Sequence, residues 1–467
     1  MMALITEAQK IRHLQWRAGF GPIPGDATTE SLKKAIKQLL NENSGAQPLA
    51  VPIPDLQSIS KLSGEQRAAA AKMLRESLQE LNRAWLTQMA TSKAQLREKM
   101  TLFWHGHFAC RLRHPGLAQA QNNTLRAYAL RPFPELLSAV AKDPAMLQFL
   151  NNQQNRKQQP NENFARELLE LFTLGRGHYT EQDIKEAARA FTGWGYNLQG
   201  EFVFRARQHD EGRKTFMGRS GNFNGDDILK IILDNPRTAT FITQKIYTFF
   251  VSEQPNALRV ETLAKQFFDS GYNMQVLLEQ IFTSDWFYTS EVMGSHIKSP
   301  VELLVGMQRM FSLNYTEERA PIVLQNVLGQ VLFQPPNVSG WKGGPSWIDS
   351  STLAFRLRMG QALLQDAALE VALKPDDDTE PTKPVAKRVD GLRIVRAKAD
   401  LSHFYKAFQK VPQQQLAESM ANYLLQVPLQ PQKLAMIQQS IPAHGSQEEK
   451  MMAVLLRVVS LPEYQLS

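Results

Sequence analysis

Residues 63–108 read SGEQRAAAAKMLRESLQELNRAWLTQMATSKAQLREKMTLFWHGHF. The stretch is nearly unbroken helical periodicity, rich in Ala, Leu, Glu, Arg and Gln, residues that lose little freedom in a helix. Two long helices are expected here. The same pattern extends in both directions. Thr6 and Gln9 form a capping box for a helix carrying His13 and Trp16, and Leu32, Ala35, Ile36 and Leu39 stand at helical spacing. Further helices are expected near 120–140, 162–174 and 180–192. Asn235-Pro236 opens another, and so does Ser299-Pro300-Val301-Glu302, with a capping serine, a first-turn proline and a returning glutamate. One β signal stands out: Glu201–Arg205, expected to pair with Lys214–Met217 as a hairpin. The fold class is therefore mainly α, a multi-helix orthogonal or bundle-like array with one small β-hairpin. A main body over 1–373 would be followed by an exposed linker or flap at 374–399, marked by Lys374-Pro375 and an acidic run. A small helical appendage would follow at 400–467.

Composition narrows the function classes. The 467 residues are 43% hydrophobic and 21% charged, ordinary for a folded protein of enzyme size. The single cysteine, Cys110, excludes an intramolecular disulfide framework and a cysteine-rich metal site. The start, Met1 to Glu7, shows neither a basic nor an apolar leader region, and no apolar run nears the roughly 20 residues that span a bilayer. A cytoplasmic protein without a membrane span is expected. The net charge of +8 is mild for this length. Its clearest cluster, Arg205, Arg207, Arg213, Lys214 and Arg219, is short, whereas nucleic-acid binding wants a basic stripe with interleaved aromatics, so nucleic acid is not an expected partner. Phosphate-binding loops, a dinucleotide fingerprint, His-Glu-x-x-His and Gly-x-Ser-x-Gly are all missing, and no nucleotide cofactor is expected.

Four segments place polar residues in apolar surroundings. In Phe103-Trp104-His105-Gly106-His107-Phe108, the two histidines point to different faces if the backbone is helical. They converge on one ion if Gly106 turns the chain. On the 161–175 segment, Phe164, Leu168, Leu171 and Phe172 form the core stripe, and Glu162, Arg166 and Glu170 form an outer ion-pair ladder. Glu167 borders the buried arc and needs a cation, a metal or an arginine such as Arg126 or Arg189. Gln208-His209-Asp210-Glu211-Gly212-Arg213-Lys214 would form the hairpin tip, where His and Asp suit metal ligation or acid–base work and Lys214 suits an anion. The proline- and glycine-rich loop Gln334–Trp347 holds Trp341 and Trp347, which line a ligand cleft or plug one end of the body.

These motifs together resemble the bacterial family called domain of unknown function 1800. The resemblance rests on His13 to Gly21, Trp104-His105-x-His107-Phe108, Asn161 to Glu167 and Ala190-Phe191-Thr192-Gly193-Trp194. His209-Asp210-x-Gly212-x-Lys214 and Pro335-Pro336-Asn337-Val338-x-Gly340-Trp341 complete it, over about 13–358. It implies a helical bacterial protein. Many such relatives are exported and encoded beside a sulfatase-like family, whose product is then a candidate partner. It implies no reaction, cofactor or catalytic residue. Phe164 stands where the family often has tyrosine, and no export signal is visible at the start.

The leading expectation is a metal-dependent hydrolase or oxidoreductase whose site forms where 103–108, 161–170 and 208–214 converge. His105, His107 and His209 would hold zinc, iron or manganese. Glu167 and Asp210 would complete the shell or act as base, and Lys214 would assist. Arg166, Trp341 and Trp347 would contact substrate. The alternatives are a non-catalytic binding or scaffold protein, and phosphate or polyanion binding through the basic hairpin.

Overall fold

The computed structural model describes residues 5–25, 31–41, 47–53, 63–371 and 393–467. The first residues, 1–4, and most of the expected linker, 374–392, lie outside them. The 63–108 stretch folds as the two helices its pattern demands, Gly64–Thr91 and Gln95–His107, broken at Ser92. The longer helix buries Leu78, Leu81, Asn82, Trp85, Leu86 and Met89, one stripe at spacings of three and four. Its alanine-rich first turns stand exposed.

The helix Gln95–His107 is sheathed on nearly every side. Burial forces its charges to pair. Glu98 takes two bonds from Arg126, at 2.8 and 3.2 Å, and one from the Trp85 indole at 3.0 Å. Lys99 binds the carboxylate of Glu302.

Around this central helix the chain builds a large core from Leu14 to Phe333. A second core gathers the helices Pro300–Phe311, Ala320–Leu328 and Ser350–Leu364 with the four helices between Ser402 and Val459. Residues 400–467, expected as an appendage, thus share their core with 303–364. Residues 393–399, expected as linker, form strands: Arg393–Val395 pairs with Leu369–Val371, and Ala397–Ala399 with Leu313–Tyr315.

The expected hairpin is corrected. Phe202–Phe204 pairs backwards with Trp194–Tyr196, and Lys214–Phe216 pairs forwards with Arg219–Gly221. Local turns decide this: Gly200 (φ +77°), Met217 (φ 48°) and Gly218 (φ +77°) reverse the chain within a few residues. The 205–213 segment is left as a connection between two small hairpins rather than a tip. Among the described residues, no helix is long and apolar enough to cross a membrane.

Candidate functional site

The helix Gln95–His107 runs through Gly106 without turning, so His105 and His107 diverge. The Phe333 amide donates to His105 Nε2 at 3.0 Å, which puts the neutral ring's proton on Nδ1. The ring sits among Trp85, Phe333 and Trp341. His107 Nε2 donates instead to the Phe172 carbonyl at 3.1 Å, among Phe103, Trp104 and Phe108. Burial pulls both rings down to about 3, and the charge of Lys245 adds to the effect at His107. Each histidine is a neutral, hydrogen-bonded tie between helix and neighbour.

The second segment starts as the helix Asn163–Glu167 and widens into a π-helix over Leu168–Thr173, where the Thr173 hydroxyl caps the Leu168 carbonyl at 2.6 Å. The expected ladder forms only in part. Arg166 binds Glu162 and, with both terminal nitrogens, Glu181 at 2.9 Å; Glu170 binds Arg176 and Tyr179. Glu167 is half-buried, and burial followed by the charge of Glu170 raises its carboxyl. Neither suggested arginine reaches it: Arg126 serves Glu98 and Arg189 serves Glu186 and Asp210.

The connection between the hairpins is the most organised of the four. Gly193 lies so close to the Arg205 carbonyl that a Cβ there would come within 2.7 Å, and its φ is +80°. This approach folds 205–213 back onto Phe191–Trp194. There the Thr192 carbonyl accepts from His209 Nδ1 at 2.9 Å, while the Thr192 hydroxyl donates to Arg189 O and accepts from the Asp210 amide. With Nδ1–H occupied, the neutral ring keeps Nε2 as its basic nitrogen. Arg189 grips Asp210 through Nε at 2.7 Å and Nη2 at 3.3 Å and also holds Glu186, so the Asp210 carboxyl lies below the usual range. The buried Lys214 ammonium donates to the carbonyls of Asp210 and Gly212, at 2.5 and 3.0 Å, and burial lowers it. It ties the turn together rather than facing outward. Arg205 and Arg219 of the basic cluster are likewise engaged, with Gln153 and Tyr196 and with Asp234.

Beside this turn opens a cleft of about 630 Å³ lined by Lys157, Gln158, Ala206, Arg207, His209, Asp210 and Glu211. Lys157 is held there by its amide bond to the Gln208 carbonyl. Buried Asn155 orders the same loop, donating to Ala188 O and accepting from the Asn161 amide. Among the described residues neither Lys157 nor Arg207 has a salt bridge, whereas Asp210 is matched by Arg189. Two cations therefore face the single unmatched carboxylate of Glu211.

The tryptophan loop lies elsewhere. Trp341 stands 5.7 Å from the His105 ring, Trp347 is buried, and Gly340 packs on the Gly106 carbonyl, so the loop plugs the end of the central helix.

The structure thus unites Ala190–Trp194 with His209–Lys214. It turns His105 and His107 toward separate backbone partners. Among the described residues, no group of three or more His, Cys, Asp or Glu is placed to hold a metal ion. Sequence reasoning missed Glu186 and Lys157, offered Arg189 only as a partner for Glu167, and met Thr192 only within the Ala190–Trp194 motif. It also missed the buried charges around Glu302, whose Ser299–Glu302 signature reads as a helix cap alone.

The family model described as "Protein of unknown function (DUF1800)" matches residues 13–466. No curated protein and no solved structure matches the chain.

Proposed function

The chain belongs to that family of unknown function, so its activity has to be read from its own side chains, and we propose that it binds a small anionic ligand in the cleft beside the 205–211 turn. One observation carries this reading. His209 Nδ1 is fixed by the Thr192 carbonyl, which sets Nε2 as hydrogen-bond acceptor and base in a cleft whose unmatched charges are mainly Lys157 and Arg207. A protonated ligand oxygen, as in a monohydrogen phosphate, would donate to Nε2 while the two cations take its charge.

The test is a titration of inorganic phosphate into the protein, followed through the His209 imidazole nitrogens by NMR. Nε2 should shift on saturation, and Arg207→Ala should weaken binding about tenfold, as loss of one charge-assisted contact does. An unmoved His209 resonance across the titration would sink the reading.

A second reading retains metal chemistry. A histidine whose Nδ1–H is held by a carbonyl is also oriented as metal ligands are. Zinc, iron or manganese would then bind through His209 Nε2 alone among the three histidines proposed. Elemental analysis of wild type and His209→Ala distinguishes the readings. Metal bound near one equivalent and lost in the variant favours the ion.

A further inference from the structure

Arg17, from the first motif, and the stretch Lys298–Glu302 play no part in the cleft. In the fold they meet. Arg17, Lys99, Lys298 and Arg356 are each no more than 2% exposed, and all four lie within the field of one buried carboxylate, Glu302. Glu302 is already engaged by Lys99, by His296 Nε2 at 3.1 Å and by the Ser299 amide at 2.7 Å. The charge of Glu253 reaches Arg17 as well. The cations still outnumber these carboxylates.

Their donors are only partly used. Arg17 Nη2 donates to Val292 O and Ser295 Oγ, but its Nε and Nη1 have no partner. Arg356 Nη1 donates to Lys298 O at 2.9 Å, but its Nε and Nη2 have none, and neither does His296 Nδ1. Lys298 donates to the Tyr464 carbonyl and lies 3.9 Å from the Trp16 ring centre.

Against the Lys298 side of this cluster lies a short strap, residues 462–467. Lys298 N donates to Gln465 O at 2.8 Å and Ser467 N to His296 O at 2.9 Å, so the strap lies along 296–298 as a third-party strand would. Within it Tyr464 and Gln465 are buried, yet the Tyr464 hydroxyl and both polar atoms of the Gln465 amide find no partner. The strap covers Lys298 and gives its ammonium one carbonyl, while the free N–H groups of Arg17 and Arg356 stay buried with nothing to bind. Desolvated donors in that state favour any arrangement that supplies acceptors.

We propose that the 462–467 strap covers a latent oxyanion site, in which the unpaired N–H groups of Arg17 and Arg356 grip a small carboxylate- or phosphate-type ligand once the strap is displaced. Two guanidinium forks suit a multi-oxygen anion better than a halide. The closed strap lowers the apparent affinity by the fraction of molecules that are open, so ligand and strap compete.

The experiment uses the full chain carrying His209→Ala, which abolishes the phosphate response of the cleft, and inorganic phosphate against chloride at matched ionic strength. Hydrogen exchange should speed up in phosphate at the amides of 296–298 and 465–467 and nowhere in 205–214. Tyr464→Ala should bind phosphate about tenfold more tightly by calorimetry, and adding Arg356→Met should cancel that gain. Unchanged exchange in phosphate overturns the proposal, and so does a gain that persists without Arg356. If Tyr464→Ala does not fold, the exchange of the parent chain decides alone.

Discussion

The helix Gln95–His107 and the 205–214 turn each carry a histidine motif, and they use it in opposite ways. On the helix, both imidazoles are enclosed by aromatic rings and tied to a backbone amide or carbonyl of a neighbouring segment. At the turn, the backbone holds only the inner nitrogen of His209, and the ring lines an open cleft. The difference lies in what surrounds the ring. A central helix has no solvent side, so every polar atom must be satisfied within the fold. A connection between two short hairpins is ordered by side chains from one side and leaves the other side free.

The sharpest way to break this comparison is acid. His105 and His107 have folded values of about 3 against an unfolded 6.5. Between those values the unfolded chain takes up protons that the folded chain refuses. Their stabilisation is therefore complete above about pH 6.5 and is lost as pH falls toward 3, by roughly 4–5 kcal/mol for each ring. Denaturant melts at stepped pH should show this slope, and the double variant His105→Phe/His107→Phe should flatten it. A slope unchanged in that variant would mean that the helix histidines are not the buried neutral ties described here.

The next largest effect concerns the same helix. Glu302→Gln leaves Lys99 buried without its carboxylate and should cost about 3–5 kcal/mol in urea unfolding. A loss below about 1 kcal/mol would show that the interior network is not as enclosed as its burial indicates.

Replacing single histidines separates the two regions directly. His105→Ala removes a packed ring and its bond to Phe333 and should cost about 3 kcal/mol. His209→Ala should cost about 1 kcal/mol, while abolishing the phosphate response of the cleft. Equal destabilisation by both would erase the distinction between tie and site. Smallest of all is Arg166→Ala. Its pairs with Glu162 and Glu181 are substantially exposed, so melts should move by less than about 0.5 kcal/mol.

Helices were legible because their signals are local. The boxes at Thr6 and Ser299 both form as read. So does the break that divides 63–108. Strand pairing was not legible. Phe202–Phe204 has two candidate partners of similar character, and the choice falls to turns at Gly200 and Met217–Gly218 that alternation does not reveal. The site was half legible. His209 and Asp210 stand out in the sequence, but Arg189 and Thr192, which orient them, look like ordinary helix-end residues until the connection folds back across Gly193.

The sequence by itself determined a mainly helical chain, several of its helix starts and the family to which it belongs. Periodicity and capping depend on neighbours within a few residues, so they can be read along the chain. Only the tertiary structure decided which histidine is a tie and which faces a cleft, that residues 400–467 join a core begun near 300, and that four cations surround Glu302. Those outcomes depend on which distant segments exclude water from a given side chain. Burial is a property of the packed molecule, and no local pattern carries it.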